Sequence, residues 1–338
     1  MPRPTILDIA KAAGVSKGAV SYALNGRPGV SAQTRERILG IADTLGWVPS
    51  SAARALSSAR AEAVGLIAVR DPELLATEPY FMRMVAGLER TLTVRGVALV
   101  LSVVAEPAGE LDLYHRWWGS RRVDGMLLFD MRMRDPRPAW LRAHGVPAVV
   151  IGAQRAYRGI SCTRVSSQHL VARAVTHLHD LGHRRIARVS GPRRLEHVIR
   201  RERAFTEVTT ALLGSAQPQV EADYTAAGGI AATHALLAAP APPTAIIYEN
   251  DVMAVAALGE LIAAGVRVPA DLAIMAWDDS ALCQLVRPAV TAFSHDVVGE
   301  AARAADLLLT CIDTGAGPDV WLDPPELTVR ESTAGPRS

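Results

Sequence analysis

The chain has 338 residues, 49% of them apolar and 21% charged, with a net charge of +2. That length allows two or three domains with real cores, and no run approaches the ~18 apolar residues of a membrane span. Cys162, Cys283 and Cys311 stand far apart with no C-x-x-C pair, which argues against a disulfide framework and a zinc ribbon. The opening MPRPTILDIAKAAG lacks the apolar core of a signal peptide, so the expected location is the cytoplasm. TILDIAKAA predicts a first helix. Thr5 is placed to cap it, Asp8 to act as the acid of a capping box, and Ile6, Ile9, Ala10 and Ala13 share one face. Gly14 ends it where a left-handed residue is wanted. Ser16 caps a second helix whose Ala19, Val20, Ala23 and Leu24 point inward, with Val15 placed to staple onto Val20. Lys17, Gly18, Ser21, Tyr22 and Asn25 are left facing out, and Gly26 closes the helix. Ser31 caps a third, with Ile38, Ile41, Ala42 and Leu45 inward and Gly46 as the stop. Two helices joined by a glycine turn make a helix-turn-helix, in which the start of the second helix meets base edges in the major groove. Gly18 lies in that first turn, where a missing side chain permits close approach.

Charge supports a polyanion partner. Residues 1–60 carry eight Lys and Arg against three acids, a net +5, leaving −3 for the rest. A solvated helical face would give the same count. In WVPSSAARALSSARAE, Pro49 ends the head, and Ser50 or Ser51 can cap AARAL, a helix far too short to persist alone in water. It reads equally as an unstructured linker or as a helix that forms only against a partner.

From residue 61 short apolar strands alternate with amphipathic helices. AVGLIAV (63–69) reads as a strand and YFMRMVAGLERTLTVRG (80–96) as a helix; ALVLSVV (98–104), GMLLFD (125–130) and AVVIG (148–152) continue the strands. A second series starts with the helix SSQHLVARAVTHLHDLG (166–182) and runs through RIARVSG, TAIIYEN and LAIMAWDD. Two βαβα series predict two parallel-sheet lobes, with ligands bound outside the carboxyl ends of the strands. The polar residues at those ends are Arg70, Asp130, Asn250, Asp278 and Asp279.

Residues 5–56, helix-turn-helix followed by LGWVP and A-R-x-L, resemble the DNA-binding head and hinge of the LacI/GalR family of transcription regulators. VDGMLLFD, HLHDLGHRRIARVSGP, PPTAIIYENDVMAVAAL, GVRVPADLAIMAWDDS, RPAVTAF and ELTVREST extend the resemblance to about residue 334. It implies an all-α helix-turn-helix head (1–49), a hinge (50–60) and a two-lobed α/β domain similar to periplasmic binding proteins (61–334). The N-lobe is expected at about 61–160 and 293–324, the C-lobe at about 161–292 and 325–334. The resemblance implies a repressor that binds a near-palindromic double-stranded operator as a homodimer, under control of a sugar-like effector held between the lobes. Lys17, Gly18 and Tyr22 match base-reading positions; Thr5, Ser16, Ser21, Asn25 and Ser31 match phosphate contacts, which set register rather than sequence. Ala53 and Leu56 fall in the minor-groove hinge, Leu56 at the side chain the family wedges into a base step. Tyr22 stands where Arg is common, which removes a bidentate guanine contact. Tyr80, Phe81, Asp130, Arg201, Asn250 and Asp278 match effector positions, although Ser166, Ala204 and Ala276 depart from the usual pattern. Each also has a plainer reading: Asp130 and Asp278 as helix caps, Arg201 as a surface charge beside Arg200 and Arg203, Tyr80 and Phe81 as core.

No cofactor, metal or membrane partner is expected. His177, His179 and His183 sit at a helix end, where histidines suit the dipole, and no phosphate-loop, dinucleotide or nucleophile-elbow motif occurs. The rival to a regulator is a sugar-binding protein or carbohydrate enzyme with an incidental basic head.

Overall fold

A computed structural model describes residues 4–47, 60–165 and 168–334. They fall into two compact units that meet in sequence between Glu62 and Ala63. Ser50, Ser51, Ala53, Leu56 and Ser166 lie outside the described residues.

The first unit holds α1 (Ile6–Ala13), α2 (Lys17–Leu24) and α3 (Ala32–Thr44). The capping box at α1 is complete: the Thr5 hydroxyl accepts from the Asp8 amide and the Thr5 amide donates to Asp8 Oδ2 at 2.8 Å. Ser16 and Ser31 cap α2 and α3 by accepting from the Ala19 and Thr34 amides, without the reciprocal bond. Ile9, Val20 and Ile38 are fully buried and, with Ala10, Ala13, Ala23 and Ala42, form the core. Leu45 departs from expectation. It is the residue at which α3 ends, it stays 39% exposed, and Trp47 packs on the core instead as the chain turns back at Gly46. Gly14 has φ +63° with open space around it, so only the backbone disfavours a side chain there. Gly14→Ala is therefore expected to weaken this unit by about 1–2 kcal/mol, measured as faster amide hydrogen exchange in α1 and α2. Unchanged exchange would remove the strain argument.

The second unit contains two six-stranded sheets. In the first, β1 (Ala63–Val69), β2 (Ala98–Val104), β3 (Gly125–Leu128), β4 (Ala148–Ala153), β5 (Ser161–Arg164) and β11 (Val320–Trp321) run parallel in the order β11-β5-β4-β3-β1-β2. In the second, the order is β12-β10-β9-β8-β6-β7, with strands β6 (Ile186–Ser190), β7 (Gln219–Glu221), β8 (Ala245–Tyr248), β9 (Ala273–Ala276), β10 (Thr291–Ser294) and an antiparallel β12 (Glu326–Thr328). Most central strands are apolar because helices cover both faces; β6 differs in carrying the buried Arg188. On the first sheet Leu66, Leu127 and Val149 pack beneath α5 (Pro79–Val94) and α13 (Val297–Thr314). Those helices touch at Gly87, where a Cβ would stand 2.3 Å from the Val298 carbonyl oxygen. On the second sheet one face meets α10 (Ala226–Leu237) and α11 (Asp251–Ala263), and the other meets α8 (Gln168–Asp180) and α9 (Glu196–Leu213).

Two expected lobe boundaries shift. β5 belongs to the first sheet, so the chain crosses after Arg164 rather than at 160. All of β10 pairs in the second sheet, so the return comes after Ser294 rather than at 292. SCTR is short and polar, and its place is fixed by pairing rather than by an apolar run.

Candidate functional site

The outer face of α2 carries Lys17, Gly18 and Tyr22, all exposed, with Tyr22 at 45%. The small core beneath α2 fixes the direction in which they project. The hydroxyls of the phosphate-type positions are partly committed. Thr5 Oγ1 donates to Asp8 Oδ2 at 2.6 Å, Ser31 Oγ donates to Thr34 Oγ1 at 2.9 Å, and Asn25 Nδ2 donates to the Ser21 carbonyl at 2.9 Å. Ser16 Oγ accepts from the Ala19 amide at 3.1 Å.

The second unit has a cavity of about 140 Å³ between its sheets, at the carboxyl ends of their strands. Arg70 and Asp130 reach it from just beyond β1 and β3, Glu249 from beyond β8, and Trp277 and Asp278 from beyond β9. His197 and Arg201 come from α9, Tyr80 from the start of α5, and His295 and Glu300 from the turn into α13.

Paired charges build its walls. Arg70 Nε donates to Glu78 at 2.9 Å and Nη2 pairs with Asp130. Burial opposes a charge on Asp130, but Arg70 outweighs it and holds the carboxyl below its usual range. On Glu78 burial wins, and its carboxyl is raised. Glu249 takes Arg188 on one oxygen and Arg201 on the other, the latter at 2.6 Å. The Arg201 guanidinium lies 4.1 Å over the Trp277 ring, and its Nε has no partner among the described residues. Burial, then Arg201, lowers His197 to about 4, so it is neutral and bonds the Tyr224 hydroxyl at 2.9 Å. Such an array of acceptors, guanidinium donors and aromatic faces can hold a ligand rich in hydroxyls.

Of the expected effector residues, Tyr80, Asp130, Arg201, Asn250 and Asp278 meet around this one cavity. Phe81 does not. It is fully buried in the first core against Phe129, ring centres 5.6 Å apart, because adjacent residues on a helix point in different directions. Asn250 lies in the wall but is occupied: Oδ1 caps α11 through the Met253 amide and Nδ2 donates to the Tyr224 carbonyl. Asp130 and Asp278 cap nothing; Ser280 caps α12 (Ala281–Leu285) instead. Asp279 turns to Arg330 at 2.7 Å. Glu78, His197, Tyr224, Glu249, Trp277, His295 and Glu300 were not singled out from the sequence. His197 was within reach, since it lies one turn before Arg201 on the same helix face. His177 and His183 bond Thr333 and Thr244 at 2.9 Å each.

Comparison with known proteins agrees with this division. Residues 5–50 match the model for bacterial regulatory proteins of the lacI family, and residues 175–333 match the periplasmic binding protein-like domain. The HTH-type transcriptional regulator CelR of Thermobifida fusca is 33% identical over 304 residues, 87% of each chain. The HTH-type transcriptional regulator MalR of Streptomyces coelicolor is 32% identical, covering 97% of this chain and 96% of its own. A solved structure of a CelR–cellobiose complex superposes with a TM-score of 0.72 at 30% identity, covering 98% of this chain and all of its own.

Proposed function

The chain belongs to the LacI family of bacterial regulatory proteins, and from that premise we propose how it works as a DNA-binding transcriptional regulator. Family membership also sets aside the rival reading as an enzyme. No helix among the described residues is long and apolar enough to cross a membrane. The protein acts as a homodimer on a near-palindromic operator. Lys17 and Tyr22 read bases, Gly18 admits close approach, and Thr5, Ser16, Ser21, Asn25 and Ser31 set register on the phosphates. Ala53 and Leu56 serve the hinge. A sugar-like effector sits between the lobes (N-lobe to about 164 and from about 295 to 324, C-lobe the remainder to 334) and binds one lobe arrangement better than another, which shifts DNA affinity.

The observation that supports this reading best is the convergence of Tyr80, Asp130, Arg201 and Asp278 on one cavity at the strand ends. Its test is selection of binding sites from a random duplex library, followed by release with sugars. Wild-type protein is expected to select paired half-sites, with log affinity falling steeply and linearly with log salt. Tyr22→Ala is expected to change the preferred half-site, since sequence is read by contacts to base edges. Identical selections would remove Tyr22 as a reader, and a flat salt profile would remove DNA as the partner.

A further inference from the structure

The proposed effector cavity is not electrically balanced, and the imbalance lies at one end. Burial raises the Tyr80 hydroxyl, and Glu300, Asp278, Asp130 and Glu78 all add to that rise. Arg70 is shared between Glu78 and Asp130. His295 Nδ1 meets Glu300 at 3.2 Å; burial works against its proton, but Glu300 prevails and the imidazole is raised above its usual range. Arg201 is engaged by Glu249, and Arg83 is directed to the Asp279 carbonyl oxygen at 3.0 Å. That leaves Asp278. Among the described residues its carboxylate has neither a hydrogen bond nor an ion pair; only its backbone carbonyl is used, by Cys283 Sγ. Behind it stands another acid, Asp251, 2% exposed.

Asp278 is partly buried and faces the cavity, where a carboxylate without a partner is costly unless something neutralises it. No three His, Cys, Asp or Glu among the described residues come close enough to hold a metal ion. The acids instead surround a space with Tyr80 in its wall, which suits an organic cation that carries apolar ring faces; Trp277, in the same wall, already carries Arg201 over its ring.

We propose that the effector carries a protonated amine, as an amino sugar or aminocyclitol does, seated against Asp278 with Asp130, Glu78 and Glu300 around it. This rests on the reading of the cavity as an effector site. A neutral sugar would leave the acidic end with its excess charge, whereas an ammonium group offers three donors and one positive charge. Burial, then Asp251, pushes the Asp278 carboxyl up to about 7. The other charged groups around it are Glu78, Arg201, His295 and Glu300. A cation beside Asp278 favours its ionised form, so amine binding near neutrality releases a proton and weakens as the pH falls below 7. A neutral sugar, which offers this group only hydroxyl donors and no charge, has a weaker dependence on it.

The test is calorimetric titration of the full-length protein with matched pairs: glucose and glucosamine, cellobiose and the β-1,4-linked glucosamine dimer. At pH 7.5 an amino member is expected to bind at least about tenfold tighter than its neutral counterpart, the size expected of a hydrogen bond to a charged group. The preference is expected to collapse at pH 5.5, and at pH 7.5 in Asp278→Asn. If that variant does not fold, the wild-type pH series alone decides. A neutral sugar binding as tightly as its amine overturns the amine and leaves a sugar-responsive regulator standing. A preference that persists at pH 5.5 removes Asp278 as its seat. Failure of every member to bind overturns both readings.

Discussion

Glu249→Ala is expected to destabilise the second unit by about 3–5 kcal/mol, the usual loss when one member of a buried ion network is removed. Glu249 is 2% exposed and Arg188, which ends on it, is 1% exposed. Arg188 has a second bond to Gln219 Oε1 at 2.9 Å, but no other carboxylate among the described residues. Alanine would leave that guanidinium buried without a counter-charge and would release Arg201 from its position over Trp277. Burial opposes ionisation of Glu249, yet Arg188 and then Arg201 hold its carboxyl below the ordinary glutamate range. A lowered folded-state pKa stabilises above the unfolded value and is lost as the pH falls through the folded one. The difference between wild type and Glu249→Ala should therefore be full at pH 7 and shrink in acid. Urea unfolding at both pH values measures it. A variant as stable as wild type at pH 7 would mean that Arg188 finds another partner, and the network would not be the support of this wall.

The sequence made the architecture legible because the strands facing helices on both sides are apolar throughout, as AVGLIAV and AIIY are, while the helices between them carry one apolar face. The head was equally legible, since Thr5, Ser16 and Ser31 are capping residues at the right spacing from apolar faces. The failures have physical causes. β5 carries its position in its pairing with β4, not in hydrophobicity. Phe81 and Tyr80 are neighbours in sequence, and a small uncertainty in helix phase decides which one faces the ligand. Asn250 was found as a site residue because it lies just beyond a strand end, and strand ends are also where helices need caps. Glu249 and Trp277 were passed over beside Asn250 and Asp278, although the same rule points to them. His295 and Glu300 escaped because they arrive from a turn and a helix that cross back late in the chain, and sequence distance hides that return.

Glu196→Gln is expected to weaken effector binding about tenfold while leaving effector-free DNA binding intact. Glu196 opens α9 in the second lobe, yet its carboxylate is held by the first. Oε2 accepts from the Tyr157 hydroxyl at 2.6 Å and Oε1 from Arg155 Nε at 3.1 Å, with Arg200 Nε of the same helix also on Oε1 at 3.0 Å. Its own amide donates across to the Met131 carbonyl at 2.7 Å. Glu196 is 3% exposed, whereas the Arg155 and Arg200 side chains are 45% and 39% exposed, so solvent screens both cations. The buried bond to Tyr157 is the stronger part of the latch. Glutamine keeps the shape and removes the charge, so the lobes hold each other less firmly while the fold survives. An effector that binds the latched arrangement then spends part of its binding energy on closing it, and apparent affinity falls with the population of that arrangement. A loss of about 1.4 kcal/mol in closure is the tenfold effect. Tyr157→Phe should give a similar loss, and the double variant should lose little more than either single one, because both act on the same bond, which glutamine weakens and phenylalanine removes. Additive losses would mean that the two side chains act separately, and unchanged affinity in all three would show that the latch does not set the arrangement the effector recognises.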